Sequence, residues 1–177
     1  WMKNLRPARA LVCAALAVVC LYAAPQRSRI PRSVDNQRRV TLRGHLQPRA
    51  ATGEDLGPLD SAEALPPLTL VLKPSDEQQA DLVQLLKKQH DPSSPNFHRW
   101  LQPEEFAERF GVAQADIDKL KDWLSHQNLQ VTGVARARNA VSFTGNVGDL
   151  QKAFRTEFHR YKVKGVRRFA NTADPSI

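Results

Sequence analysis

The chain has 177 residues, 41% of them apolar, and 26 Lys and Arg against 18 Asp and Glu give it a formal net charge of +8. That allows one domain with a modest core plus additional segments. Both cysteines, Cys13 and Cys20, lie in an apolar stretch near the N-terminus, which excludes a disulfide framework and cysteine-based metal sites from the rest of the chain.

Met2 is the expected start. Lys3, Arg6 and Arg9 precede the apolar stretch from Ala10 to Ala24, too short for a comfortable membrane span and suited to a signal peptide over residues 1–24. Cutting after Ala23 or Ala24 leaves Leu21 or Tyr22 where a small residue is preferred, so the cleavage position stays open. Residues 25–65 are arginine-rich and broken by Pro31, Pro48, Gly53 and Pro58. They read as a flexible leader with one hint of a strand, the alternation Val40, Leu42, Gly44, Leu46. The folded part is expected to start near Pro66, where Leu68, Leu70 and Leu72 alternate with Thr69 and Val71 as a strand. After Pro74, Ser75 and Gln78 form a capping-box pattern that opens a helix with Leu82, Leu85 and Leu86 on one face.

The run from Asp91 to Gly111, DPSSPNFHRWLQPEEFAERFG, is the most informative stretch. Pro92 and Pro95 force extended or turn geometry on Asp91 and Ser94, so the preceding helix stops near His90. Phe97, Trp100 and Leu101 fall at i, i+3 and i+4, the spacing of an apolar knob on a short helical turn. Pro103 at a first helical position, Glu104 and Glu105 in the first turn and Gly111 as a left-handed cap predict a short helix from Pro103 to Phe110 that buries Phe106 and Phe110.

A further helix is expected from Gln114 to Gln127, carrying Ile117, Leu120 and Leu124, with Asn128 as its C-cap. The period then changes to two. Leu129 and Val131, then Val141 and Phe143, predict two strands around a turn near Asn139, followed by a helix with Val147, Leu150 and Phe154 on one face. A hairpin through Lys164-Gly165 joins His159–Val163 to Val166–Ala170. Taken together the order is α+β: a ferredoxin-like antiparallel sheet with helices packed on one face, plus a helical insertion, over residues 66–171.

Charge is unevenly placed. Between Pro66 and Asn128 there are 7 basic and 10 acidic side chains, whereas Leu129 to Asn171 has 9 basic and 2 acidic. The strand-rich half thus presents Arg136, Arg138, Arg155, Arg160, Lys162, Lys164, Arg167 and Arg168 to water or to a partner. Nucleic acid is disfavoured as that partner, because the aromatics fall at core spacing and the chain reads as exported. An acidic protein surface fits the charge better. No serine stands in a Gly-x-Ser-x-Gly elbow, the cluster Glu104, Glu105 and Glu108 is explained by the helix dipole, and His45, His90, His98, His126 and His159 lack zinc-site spacing.

With the flanks LTLVLKPSDEQQADLVQLLKKQH and VSFTGNVGDLQKAFRTEFHRYKVKGVRRFANTADPSI, the Asp91–Gly111 run closely resembles the activation prodomain of sedolisin-type serine-carboxyl peptidases, the kumamolisin group. The resemblance covers Leu65 to Ile177. It implies a secreted zymogen whose prodomain acts as intramolecular chaperone and inhibitor and is removed by proteolysis in acid. It carries over Asp91, Pro92, Pro95, Phe97, His98, Trp100, Leu101, Phe106, Phe110 and Gly111 as the scaffold of the motif. Docking is expected from Arg136, Arg138, Arg160, Lys162, Arg167 and Arg168. Asn171, Thr172, Ala173, Asp174, Pro175, Ser176 and Ile177 are the expected linker into the peptidase cleft, with residues 172–177 as its start. The family's Ser-Glu-Asp triad, Gly-Thr-Ser signature and calcium site belong to a catalytic domain whose motifs are not in this sequence, so no cofactor is expected here. The partner implied is that catalytic domain in cis, with the membrane met only during export. The alternative from another class is a free-standing secreted protease inhibitor or binding module without an attached enzyme.

Overall fold

The computed structural model describes residues 26–177, so the expected signal peptide lies outside the described residues. In chain order the elements are β1 (Glu54–Pro58), β2 (Leu68–Val71), α1 (Asp76–His90), α2 (Pro103–Phe110), α3 (Gln114–His126), β3 (Gln130–Val134), β4 (Ala140–Thr144), α4 (Val147–Phe154), β5 (Phe158–Val163) and β6 (Val166–Asn171). No helix among them is long and apolar enough to cross a membrane.

The chain is α+β, with two three-stranded antiparallel sheets in the orders β2-β4-β3 and β1-β5-β6. The first sheet, with α3 before β3 and α4 after β4, follows the ferredoxin-like pattern. One detail departs from the expected single sheet. β5 does not join β2, because both of its edges are taken: β1 pairs with it through Glu54–Lys162 and Asp55–Tyr161, and β6 pairs along its whole length from Phe158–Asn171 to Val163–Val166. Lys164 and Gly165 both have positive φ, 51° and 81°, the geometry of a tight two-residue hairpin turn.

The core is a sandwich of the β2-β4-β3 sheet and two helices. β4 alternates, turning Val141 and Phe143 inward to meet Ile117, Leu120 and Leu124 of α3 and Val147, Leu150 and Ala153 of α4. The Phe154 ring lies 5.7 Å from Phe143 and 5.9 Å, edge-on, from Trp123. Packing also extends further toward the N-terminus than the expected start at Pro66. Leu59 and Leu65 are buried in the same core, and their amides donate to Phe158 O and Gly145 O at 2.9 and 3.3 Å.

Capping fixes where the helices begin and end. Ser75 and Gln78 form the predicted reciprocal box, with Ser75 N donating to Gln78 Oε1 (2.9 Å) and Gln78 N to Ser75 Oγ (3.2 Å). Asn146 caps α4 by accepting from Asp149 N at 2.8 Å. Asn128, at φ 58°, takes the left-handed position just past α3, as its composition suggests. Because Leu150 is fully buried, Leu150→Ala should cost about 2–5 kcal/mol in urea unfolding, whereas Val71→Ala, at a side chain 77% exposed, should fall within about 0.5 kcal/mol of the parent.

Candidate functional site

The motif from Asp91 to Gly111 is held together by polar contacts. Asp91 is extended at φ −92°, as a residue before proline must be, and its carboxylate accepts from Ser93 N and Oγ at 2.9 and 2.7 Å. The Ser93 hydroxyl bond, then the amide bond, hold that carboxyl below its ordinary range. Pro92 and Pro95 lie in the following turns, where Ser94 N donates to Asp91 O and Phe97 N to Ser94 O, each at 3.0 Å. No helix forms between α1 and α2, contrary to the spacing of Phe97, Trp100 and Leu101. His98 interrupts it: its φ is 54°, its amide donates to Gln89 O, and its ring stacks 3.8 Å from Phe97 and 6.0 Å from Trp100. The buried Gln89 returns a side-chain bond to Arg99 O. Trp100 is left 59% exposed, Phe97 lies at the surface, and Leu101 is half-buried.

α2 matches its predicted bounds, but its end is built differently. Phe110 is buried and Phe106 half-buried, their rings 5.1 Å apart. Gly111 is not left-handed; its φ is −71°. It is required by proximity, since a Cβ there would lie 2.6 Å from Ala137 O and 2.7 Å from Ala107 O, both backbone atoms that cannot swing aside.

The six basic residues expected to dock divide into two groups. Arg136 pairs with Glu104 at 2.6 Å, Arg138 with Glu108 at 3.0 Å and Ala107 O at 2.8 Å, and Arg160 with Glu63 at 2.7 Å. These three tie the β3–β4 turn and β5 to the chain's own acidic segments. Lys162, Arg167 and Arg168, on the β5–β6 hairpin, have no carboxylate partner among the described residues. Beside them a groove of about 700 Å³ is lined by Arg49, Tyr161, Lys164, Arg168 and Phe169. A cationic, partly aromatic cleft of this kind suits an anionic or carboxylate-bearing protein surface.

The expected linker lies against the domain. Asn171 closes β6, Thr172 N donates to Glu157 O at 2.9 Å, and Ala173 O accepts from Thr156 Oγ1 at 2.7 Å. Ser176 N donates to Phe154 O at 2.7 Å, and Ile177 packs on the core. Asp174 and Pro175 contact the segment before β1.

The comparisons add the family. The model of the pro-kumamolisin activation domain matches residues 51–177. The chain belongs to the pro-kumamolisin activation domain family. It is 34% identical over 82 residues to xanthomonalisin of Xanthomonas sp. (strain T-22), covering 46% of this chain and 10% of that protein. To sedolisin of Pseudomonas sp. (strain 101) it is 27% identical over 110 residues, 62% of this chain and 18% of that protein. To aorsin of Aspergillus oryzae it is 25% identical over 79 residues, 44% of this chain and 12% of that protein. The chain thus spans under a fifth of the length of these relatives.

Sequence reasoning missed one residue of this activation domain that matters to its chemistry. Asp116, in the first turn of α3, carries no sequence signal of burial, yet it is 2% exposed. Burial pushes its carboxyl up, but hydrogen bonds from Ser28 Oγ and the Arg29 and Ile30 amides, with Lys119 at 3.8 Å, outweigh burial and hold it below the ordinary range. The Arg109 side chain does the same for Asp81, and the Arg136 side chain for Glu104.

Two expectations follow. Gly111→Ala should lower unfolding stability by roughly 1–3 kcal/mol in urea melts, because the new methyl meets backbone on two sides. Depressed carboxyls contribute stability that is complete above their unfolded pKa and is lost as pH falls through the folded value. The thermal midpoint should therefore hold near neutrality and fall on acidification below about pH 4. Asp116→Asn should make that acid loss shallower; an unchanged profile would assign the loss to other groups.

Proposed function

We propose that this chain is the propeptide of an exported sedolisin-type serine peptidase, acting in cis as intramolecular chaperone and inhibitor until proteolysis in acid removes it. Membership of the activation-domain family supports the propeptide role. The observation that carries the docking surface is the β5–β6 hairpin, whose Lys162, Arg167 and Arg168 lack internal carboxylate partners and stand beside a cationic groove. Complementary charge of this sort speeds encounter and fixes register. Gln89 of α1, bonded to His98 and Arg99, holds the motif's loop against the helix, and residues 171–177 lead toward the peptidase.

In this reading the membrane is met only during export, nucleic acid is no partner, and calcium belongs to the catalytic domain. Acid release has a direct electrostatic basis. Lysine and arginine stay charged at every physiological pH, while carboxylates on the partner lose charge near pH 4, so the attraction fades as the medium acidifies. The second reading is a free-standing secreted protease inhibitor without an attached enzyme.

Reading the transcript through the codon for Ile177 separates the two. A continuing frame with a Gly-Thr-Ser nucleophile is expected; a stop codon there would move the function to the free-standing inhibitor. The purified chain added to the catalytic domain from that frame should slow peptide hydrolysis at neutral pH and lose potency at pH 4. Lys162→Glu, Arg167→Glu and Arg168→Glu combined should reduce the association rate about tenfold or more and flatten its salt dependence. Inhibition unaffected by the triple change would place docking elsewhere.

A further inference from the structure

Residues 26–46 precede the stretch that the family model matches, yet they cross the domain as a continuous strap. The strap is anchored first at the ends of two helices. Gln26 Nε2 donates to Ala107 O (2.9 Å) and Glu108 O (3.0 Å) in the last turn of α2. The amides of Arg29 and Ile30 donate to the buried Asp116 carboxylate at 2.7 and 3.1 Å, and Lys119 Nζ closes the same loop on Ser28 Oγ at 2.9 Å. Further on, Val34 packs on the core and Asn36 Oδ1 accepts from the indole N–H of the buried Trp123 at 2.8 Å.

The strap then ends on the C-terminal segment. Val40 N donates to Ile177 O (2.7 Å), Ile177 N returns a bond to Val40 O (3.1 Å), and Leu42 N donates to Pro175 O (2.8 Å). Arg39 reaches Ser176 O at 2.6 Å and also Ala153 O in the last turn of α4. The Asp174 carboxylate accepts from the amides of Gly44, His45 and Leu46 at 3.2, 2.8 and 2.9 Å. Ser176 N is meanwhile bonded to Phe154 O on the opposite side. Pro175 to Ile177 is thus hydrogen-bonded on both edges, by the strap on one and by the end of α4 on the other.

A peptide recognised in extended form adds to its binding partner as a strand, through free backbone donors and acceptors along an edge. Residues 175–177 offer none while the strap is seated. We propose that residues 26–46 are a clasp that holds the C-terminal segment closed against proteolytic enzymes, and that release of the clasp, with no change in the rest of the fold, makes residues 172–177 cleavable. The clasp rests on the propeptide reading only for the identity of the enzyme that finally cuts, and it is tested on the isolated chain, so failure of either leaves the other standing.

The test is hydrogen exchange and limited thermolysin digestion of the full chain, read by mass spectrometry. In the parent, amides 40, 42, 176 and 177 should exchange at least tenfold more slowly than in an unfolded peptide, and residues 172–177 should resist cleavage. Arg39→Ala with Asp174→Ala should raise exchange at those amides and cleavage of residues 172–177 about tenfold, leaving exchange at Val141, Phe143 and Leu150 unchanged. Should the double variant fail to fold, Asn36→Ala, which removes one side-chain anchor at the surface of Trp123, should produce a smaller change of the same sign. Fast parent exchange at Val40 and Leu42, or variants that leave cleavage of residues 172–177 unaltered, would overturn the clasp.

Discussion

The close approach of Gly111 to Ala137 joins the two halves of the domain. At that point the end of α2 meets the turn between β3 and β4 with no room for a methyl group. Val112 N donates to Arg138 O at 3.0 Å, and the Arg138 guanidinium reaches back to Ala107 O. Gln78 Nε2 reaches Gly111 O from α1, and Gln26 Nε2 reaches Ala107 O from the strap. Four separate segments therefore depend on one narrow contact between backbones. Arg138 itself sits at φ 49°, a conformation that a non-glycine residue holds only when its surroundings fix it, and the pair with Glu108 supplies part of that constraint.

The same junction changes how the charge should be read. An acidic helical half and a basic strand half suggest a bipolar surface facing a partner, but part of that charge is matched internally. Glu104 and Glu108 of α2 take up Arg136 and Arg138 across the junction. The Arg136–Glu104 pair is largely exposed, so it orients the halves more than it stabilises them. Within the strand-rich half, Lys162, Arg167 and Arg168 stay unpaired among the described residues on the β5–β6 hairpin, a smaller surface than the sequence count implies.

Legibility followed the range of the interactions. Helix bounds, the Ser75 box, the Asn128 cap and the Lys164-Gly165 turn depend on residues within a few positions of one another, and the sequence displays them directly. The second sheet depends on β1, whose stretch EDLGP shows neither alternation nor β-branched residues and pairs only because β5 offers an edge. The Phe97–Leu101 spacing misled because a positive φ at His98, paired to Gln89, breaks the turn that the spacing assumes. Gly111 misleads as a left-handed cap: a glycine past a helix usually signals handedness, and here it signals contact. The strap was invisible for a related cause. Its anchors are mostly backbone groups meeting side chains such as Asp116, and composition records no trace of where an amide points.

These hidden elements together decide where the chain leaves the domain. With β1 on one edge of β5 and β6 on the other, β6 must end beside Phe158, at the start of β5 and next to the last turn of α4. From there the next residues have few directions open, because Thr172 is tied to Glu157 and Ala173 to Thr156. The extended residues 174–177 then fall within reach of the alternating segment Val40 to Leu46, whose hint of strand character finds its partner there and nowhere in the two sheets. A weak strand pairing with another weak segment is stable only if both are held from outside. Asp116 and Trp123 hold the strap at one end, and β6 and α4 hold the C-terminal segment at the other. Elements that bury few apolar side chains of their own and lean on polar contacts that water can replace belong to the low-stability end of a fold.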